Sequence, residues 1–151
     1  MDKPFYEFQI EDQAQTFQFV SVGKRLITKC IAYRKTTIPN FYNLAMGDVG
    51  ADGILDVDVI SDNGDRDRIL ATVIQTLLRF SGEYPSAFVL FAGSSPTRTR
   101  LYQIGISREL EHGVTLLNFW GMDESGNLSI FEKNKSYIGF VVSLKANPKR
   151  L

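Results

Sequence analysis

Gly93, Ser94, Ser95, Pro96, Thr97, Arg98, Thr99 and Arg100 form one uninterrupted stretch of small, hydroxyl-bearing and cationic residues. That chemistry suits a phosphate or a carboxylate. The stretch follows an apolar run, residues 87–92, and precedes Leu101, Tyr102 and Ile104. It therefore reads as a buried strand turning into the start of a helix, where backbone N–H groups lack intrahelical partners and the helix dipole favours negative charge. Ser95 is a natural N-cap and Pro96 a natural first helical residue. Pro96 has no N–H. The donors left are the N–H groups of Thr97 and Arg98, the hydroxyls of Ser94, Ser95, Thr97 and Thr99, and the guanidiniums of Arg98 and Arg100. Two residues apart on a helix are turned by about 200°, so both arginines cannot serve one ligand from one helical face. The same residues also make an ordinary capped helix whose arginines pair with aspartates upstream.

Other residue types offer less. Asp48, Asp52, Asp56, Asp58, Asp62, Asp65 and Asp67 crowd one segment. Asp56 and Asp58 share a face if the segment is a strand, but the spacing lacks the calcium-loop pattern. Turn chemistry and a solvated strand face account for these acids. His112, the one histidine, precedes Gly113 at an expected helix end, where its charge suits the dipole, and no nucleophile or acid stands near it in sequence. Cys30 lies in an apolar strand pattern as a small buried side chain. One His and one Cys cannot make the usual zinc set. No metal and no cofactor is expected. Tyr102, two residues past Arg100, is the one catalytic candidate, as a general acid. Its alternative role is the edge of an apolar helix face.

Composition bounds the rest. The chain has 151 residues, 44% hydrophobic and 23% charged, which suits a single domain with a sizeable core. Net charge is zero, unlike the footprint of a general nucleic-acid binder, although Arg98, Arg100 and Arg108 could form a local basic patch. Aromatic residues are not interleaved with Lys and Arg as a single-strand platform requires. One cysteine permits no internal disulfide and fits a reducing compartment. No apolar segment approaches membrane-spanning length, and residues 1–4 do not begin a signal peptide. The expected setting is cytoplasmic.

The pattern along the chain supplies the frame. Residues 16–22 and 25–33 alternate as strands around a turn at Gly23-Lys24. Residues 41–46 make a short strand that Gly47-Asp48 should break, and 54–60 a half-exposed strand. Ile69, Leu70, Val73, Ile74, Leu77 and Leu78 recur at three-to-four spacing, which predicts a helix capped by Asp or Asn and ending near Phe80 and Gly82. The strand at 86–92 leads into the second helix, expected to pack through Leu101 and Ile104 and to end near His112-Gly113. Strands at 115–120, 128–131 and 137–144 close the chain. The expected fold is α+β, a mostly antiparallel twisted sheet with two main helices in one domain over 1–145, followed by a tail at 146–151.

Three stretches carry a resemblance: Asn43-Leu44-Ala45-Met46-Gly47-Asp48, Ser61-Asp62-Asn63-Gly64-Asp65 leading to Ile69-Leu70-Ala71-Thr72-Val73, and the 93–102 segment. Over most of its length the chain resembles an uncharacterised family of short bacterial proteins found mostly in Bacteroidota. That implies a bacterial single-domain α+β protein and transfers no activity. The order strands, helix, strand, helix, strands also resembles the GCN5-related acyltransferase core. Leu101-Tyr102-Gln103-Ile104-Gly105-Ile106 is similar to that family's Leu-Tyr…Gly-apolar signature, with Tyr102 at the place of its usual tyrosine acid. Two features depart from the pattern. Two residues, not three, separate Tyr102 from Gly105. Where that family has a glycine-rich pyrophosphate loop, this chain reads Asn63-Gly64-Asp65-Arg66-Asp67-Arg68, and two aspartates would repel the phosphates.

The function expected is a non-catalytic recognition module that binds a protein partner or a phosphate-bearing group at residues 94–100. Self-association is a further expectation. The alternatives are an acyltransferase-like enzyme or one acting on a nucleotide or phosphorylated substrate, and a toxin–antitoxin or defence component acting through RNA.

Overall fold

The computed structural model describes residues 5–50, 52, 53, 55, 56 and 63–151. The chain begins with β1 (Gln9–Glu11), a tight turn at 12–14, and the hairpin of β2 (Thr16–Val22) and β3 (Leu26–Lys35). Phe17 and Phe19 are buried at alternate positions of β2, and Ile31 and Tyr33 follow the same alternation on β3. β4 (Phe41–Val49) pairs antiparallel with β3, and β5 (Leu55–Asp56) pairs with β4 at Asp48 and Val49. Then come α1 (Arg66–Glu83), β6 (Phe88–Phe91), α2 (Pro96–Glu111), β7 (Leu117–Met122), β8 (Leu128–Ile130) and β9 (Gly139–Leu144). One mixed sheet runs in the order β1-β2-β3-β4-β6-β9-β7-β8, with β5 beside β4. Among the described residues only β4 and β6 pair in parallel, as a strand–helix–strand crossover requires. This is the α+β fold the sequence implies.

Both helices lie on one face. Phe80 of α1 stacks on Tyr33 of β3, with ring centroids 4.2 Å apart, and meets Tyr42 of β4 edge-on. Tyr102 of α2 meets Phe91 of β6 edge-on. The expected α1 stripe is confirmed at Leu70, Val73, Ile74 and Leu77, all buried. Thr72 and Thr76 join it because their hydroxyls bond back to the carbonyls of Arg68 and Val73 while reaching Tyr6 N–H and Tyr33 Oη.

Several boundaries are corrected. β4 does not stop at Gly47-Asp48. Gly47 stays in register opposite Cys30, and Asp48 pairs with the buried Lys29 at 2.5 Å. A cross-strand ion pair thus overrides the local turn signal. α1 continues through Gly82 to Glu83, because helix hydrogen bonding carries on to Tyr84 N–H, which donates to the Phe80 carbonyl. On α2 the fully buried apolar residue is Ile106, not Leu101 or Ile104. Gly105 faces Leu70 of α1 and lets the two helices approach there, which turns Ile104 outward. The half-exposed strand expected at 54–60 lies largely outside the described residues.

The N-terminus of α1 is fixed from a distance. Asn63 is buried, accepts Arg25 N–H at 2.8 Å, and donates to the Arg25 carbonyl and to Ser21 Oγ. Gly23 sits so close to the Asn63 carbonyl that a Cβ there would overlap it. Asp65 occupies the N-cap position, yet its side chain makes no cap bond. Its carboxylate accepts the hydroxyls of Tyr6 and Ser21 instead.

Candidate functional site

β6 ends at Phe91, and the chain turns at Gly93 into α2. Ser95 caps this helix, its Oγ accepting Arg98 N–H at 3.3 Å, with Pro96 in the first turn, as the sequence predicts. Thr99 locks the turn from inside. Its hydroxyl accepts Gly93 N–H at 3.0 Å and donates to the Ser95 carbonyl at 3.1 Å, and the residue is buried. The Thr99 hydroxyl and the Arg98 N–H are therefore engaged by the turn itself. Ser94, Thr97 and Arg100 are exposed.

Both arginines fall inside the helix, so they point in different directions as the spacing requires. Arg100 lines a groove of about 880 Å³, together with Ser94, Ser95, Pro96 and Thr99. Thr97 and Arg98 are not in its lining. Arg98 instead lies near Tyr102. The groove follows one face of α2, through Gln103, Ile104, Ser107, Arg108 and Glu111. That recurrence at three and four residues is the signature of a single helical face. A lining that runs from Pro96 to Glu111 is about 22 Å long at 1.5 Å per residue.

The opposite wall is residues 133–138, in the segment joining β8 to β9, with Glu124 beside them. Hydrogen bonds hold its backbone. Gln103 Nε2 donates to the Lys135 carbonyl at 2.6 Å, Ile138 N–H to the Met122 carbonyl at 2.8 Å, and Glu132 N–H to Tyr137 Oη at 2.9 Å. Asn134 takes a left-handed φ of 69°, which asparagine tolerates better than most residues. Sequence reasoning missed this wall. Lys133-Asn134-Lys135 was its visible signal, a short basic turn, but nothing local ties it to residues thirty positions upstream.

The groove's cations differ in their partners. Arg108 pairs with Asp67 at 2.5 Å, Lys133 with Glu111 at 2.7 Å, and Lys135 with Glu132 at 2.6 Å. Lys133 holds the Glu111 carboxyl below its usual range, and Glu132 holds the Lys135 ammonium above its own. Arg100 has no ion-pair partner among the described residues. The lysine pairs are exposed, and such pairs are weak and screened by salt, so an incoming anion can take over either lysine.

Tyr102 does not reach this groove. Its ring packs on Phe91, and burial pushes its phenol up to about 12, with Arg98 acting in the opposite direction. It is thus a proton donor only, and not a base, at neutral pH. A phenol raised from 10.0 to about 12 by folding ionises first in the unfolded chain. Its contribution to stability is full below pH 10 and is lost as pH rises toward 12. Tyr102→Phe should therefore lose less melting temperature than the wild type between pH 10 and 12. Parallel losses in the two proteins would show that folding does not desolvate the Tyr102 phenol.

His112 caps the C-terminus of α2, and Cys30 is buried with its thiol pushed up by desolvation. Among the described residues no group of three His, Cys, Asp or Glu side chains converges as a metal site. No described helix is long and apolar enough to cross a membrane.

No curated protein and no solved structure matches the chain. The model of a family of unknown function, DUF6934, matches residues 2–145, so the chain belongs to that family.

Proposed function

We propose that the chain is a small recognition module of the bacterial cytoplasm that binds a phosphate-bearing or carboxylate group in the α2 groove, with Arg100 as its principal contact. One observation carries this reading. Among the described residues, Arg100 stands at the helix N-terminal end of the groove without an ion-pair partner, while the other three cations of the lining each hold a carboxylate. The Ser94 and Ser95 hydroxyls flank the same end. A guanidinium offers paired N–H donors that match an oxyanion, and the helix dipole adds to its field.

A second reading is an enzyme of acyltransferase-like architecture. The observation in its favour is that β4 and β6 lie side by side and parallel, with a helix after each of them in the chain. Asp65 and Asp67 at the start of α1 oppose a pyrophosphate there.

A thermal-shift titration with inorganic phosphate, sulfate, a nucleoside triphosphate, acetyl-CoA and short RNA tests both. A ligand that binds only the native state raises stability by about 2.7 kcal/mol at a hundred times its Kd, or roughly 5–10 °C for a domain of this size. Arg100→Ala should abolish the shift, and Arg98→Ala should leave it. A shift from acetyl-CoA alone that survives Arg100→Ala would favour the enzyme. No shift from any compound would overturn both.

A further inference from the structure

The charges that line the α2 groove do not all neutralise one another. Among the described residues three pairs close: Arg108 with Asp67, Lys133 with Glu111 and Lys135 with Glu132. Two charges of the lining have no ion-pair partner among those residues, the Arg100 guanidinium and the Glu124 carboxylate. Strand register brings both to the same end. Glu124 follows β7, whose Met122 stands opposite Gly139 at the start of β9. A Cβ on Gly139 would lie 3.4 Å from the Phe91 carbonyl oxygen and 3.6 Å from Ala92 Cβ, in the residues that lead into Gly93 and α2. β9 separates β6 from β7, and two strand spacings are about 10 Å, a width that two long side chains can close on from either side. The other carboxylate of the lining, Glu111, lies about 16 Å down the helix from Arg100 and is held by Lys133. Nor does the Glu124 side chain build the turn it sits in. Asp123 does so, its carboxylate accepting the N–H groups of Ser125 and Asn127.

We propose, resting on the reading of Arg100 as the anion contact, that the groove takes a small zwitterion: a molecule with a carboxylate or phosphate a few bonds from a protonated amine, as in an amino acid. The anionic group sits on Arg100 and the ammonium on Glu124. Charge complementarity supports this. The unpaired charges of the lining are one of each sign, and a zwitterion presents the same two. A polyanion matches worse, because Glu124 and Glu111 meet it with like charge. A simple cation meets Arg100 in the same way. Hydrogen-bonding chemistry fixes the orientation. A guanidinium and an ammonium are both donors only, so Arg100 cannot hold the amine, and an ionised carboxylate is an acceptor only, so Glu124 cannot hold the anion.

Calorimetric titration at low ionic strength tests this with matched probes: β-alanine against propionate, γ-aminobutyrate against butyrate, and phosphoethanolamine against ethyl phosphate, with inorganic phosphate alongside. At least one aminated probe should bind about fivefold tighter than its amine-free counterpart, the upper end for an exposed ion pair. Glu124→Gln should erase that preference while binding the amine-free anions as tightly or more so, because a like charge has gone. Glu124→Lys should reverse the preference. Arg100→Ala should abolish binding of both kinds. Glu124 is exposed, so its variants should melt like the wild type. A preference that survives Glu124→Gln would overturn the proposal, and so would amine-free anions that bind through Arg100 as tightly as the aminated ones. Either result leaves the anion site at Arg100 standing. No binding by any probe, inorganic phosphate included, would overturn both.

Discussion

Phe80→Ala should cost about 4 kcal/mol of stability, within the range for removing a fully buried aromatic ring. For a domain of this length that lowers the melting temperature by roughly 8–16 °C. The size follows from position. Phe80 is 0% exposed and sits where α1 meets β3 and β4. Its ring lies flat on Tyr33 at 4.2 Å, meets Tyr84 at 4.8 Å and takes Tyr42 edge-on at 5.0 Å. Truncation deletes the shared member of three ring contacts and leaves a void between rigid strands and a helix held at its far end by Asn63. Tyr33 also loses the ring that shields its phenol, whose pKa burial pushes up strongly. Phe80→Leu keeps part of the volume and should lose less. Chemical denaturation reads both, and a loss below about 1.5 kcal/mol for Phe80→Ala, the tolerance of volume-conserving swaps, would mean this cluster does not anchor α1.

Gly93→Ala should be the most damaging single change at the site. The backbone of Gly93 is not left-handed, so alanine is permitted there by its dihedrals. It is forbidden by contact. A Cβ would overlap Thr99 N and the backbone of Arg98, atoms of the first turn of α2 that cannot swing aside as a side chain could. Relief requires moving the helix start, which breaks the bond from Gly93 N–H to Thr99 Oγ1 and displaces Arg100 from the groove. The expected cost is about 3 kcal/mol, at the upper end for overpacking, with loss of anion binding. Gly82→Ala is the matched control. It lies in the last turn of α1 with nothing within 4 Å of its added Cβ, and it should stabilise by roughly 0.5–1 kcal/mol. Two glycine-to-alanine changes of opposite sign, read by calorimetry, separate close approach from chain entropy. Equal effects would refute the packing of β6 against α2.

Some of this was legible in the sequence because it is local. Ser95 and Pro96 cap α2 through atoms three residues apart, and the apolar stripe of α1 announces itself within eighteen residues. That Arg98 and Arg100 cannot meet one ligand from one helical face follows from helix geometry, and the structure decides that both lie inside α2. The sequence also holds every cation of the groove, yet not their grouping. Only the tertiary structure brings Arg108 to Asp67 across 41 positions and Lys133 to Glu111 across 22, and that pairing leaves Arg100 as the cation of the groove without an ion-pair partner among the described residues. It likewise decides that the Thr99 hydroxyl locks a turn, that Ile106 and not Ile104 enters the core, and that Asp48 extends a strand its neighbour Gly47 should have ended. The physical reason is the same in each case. Caps and periodicity are set by covalent neighbours, whereas neutralisation and burial depend on which distant segments arrive alongside.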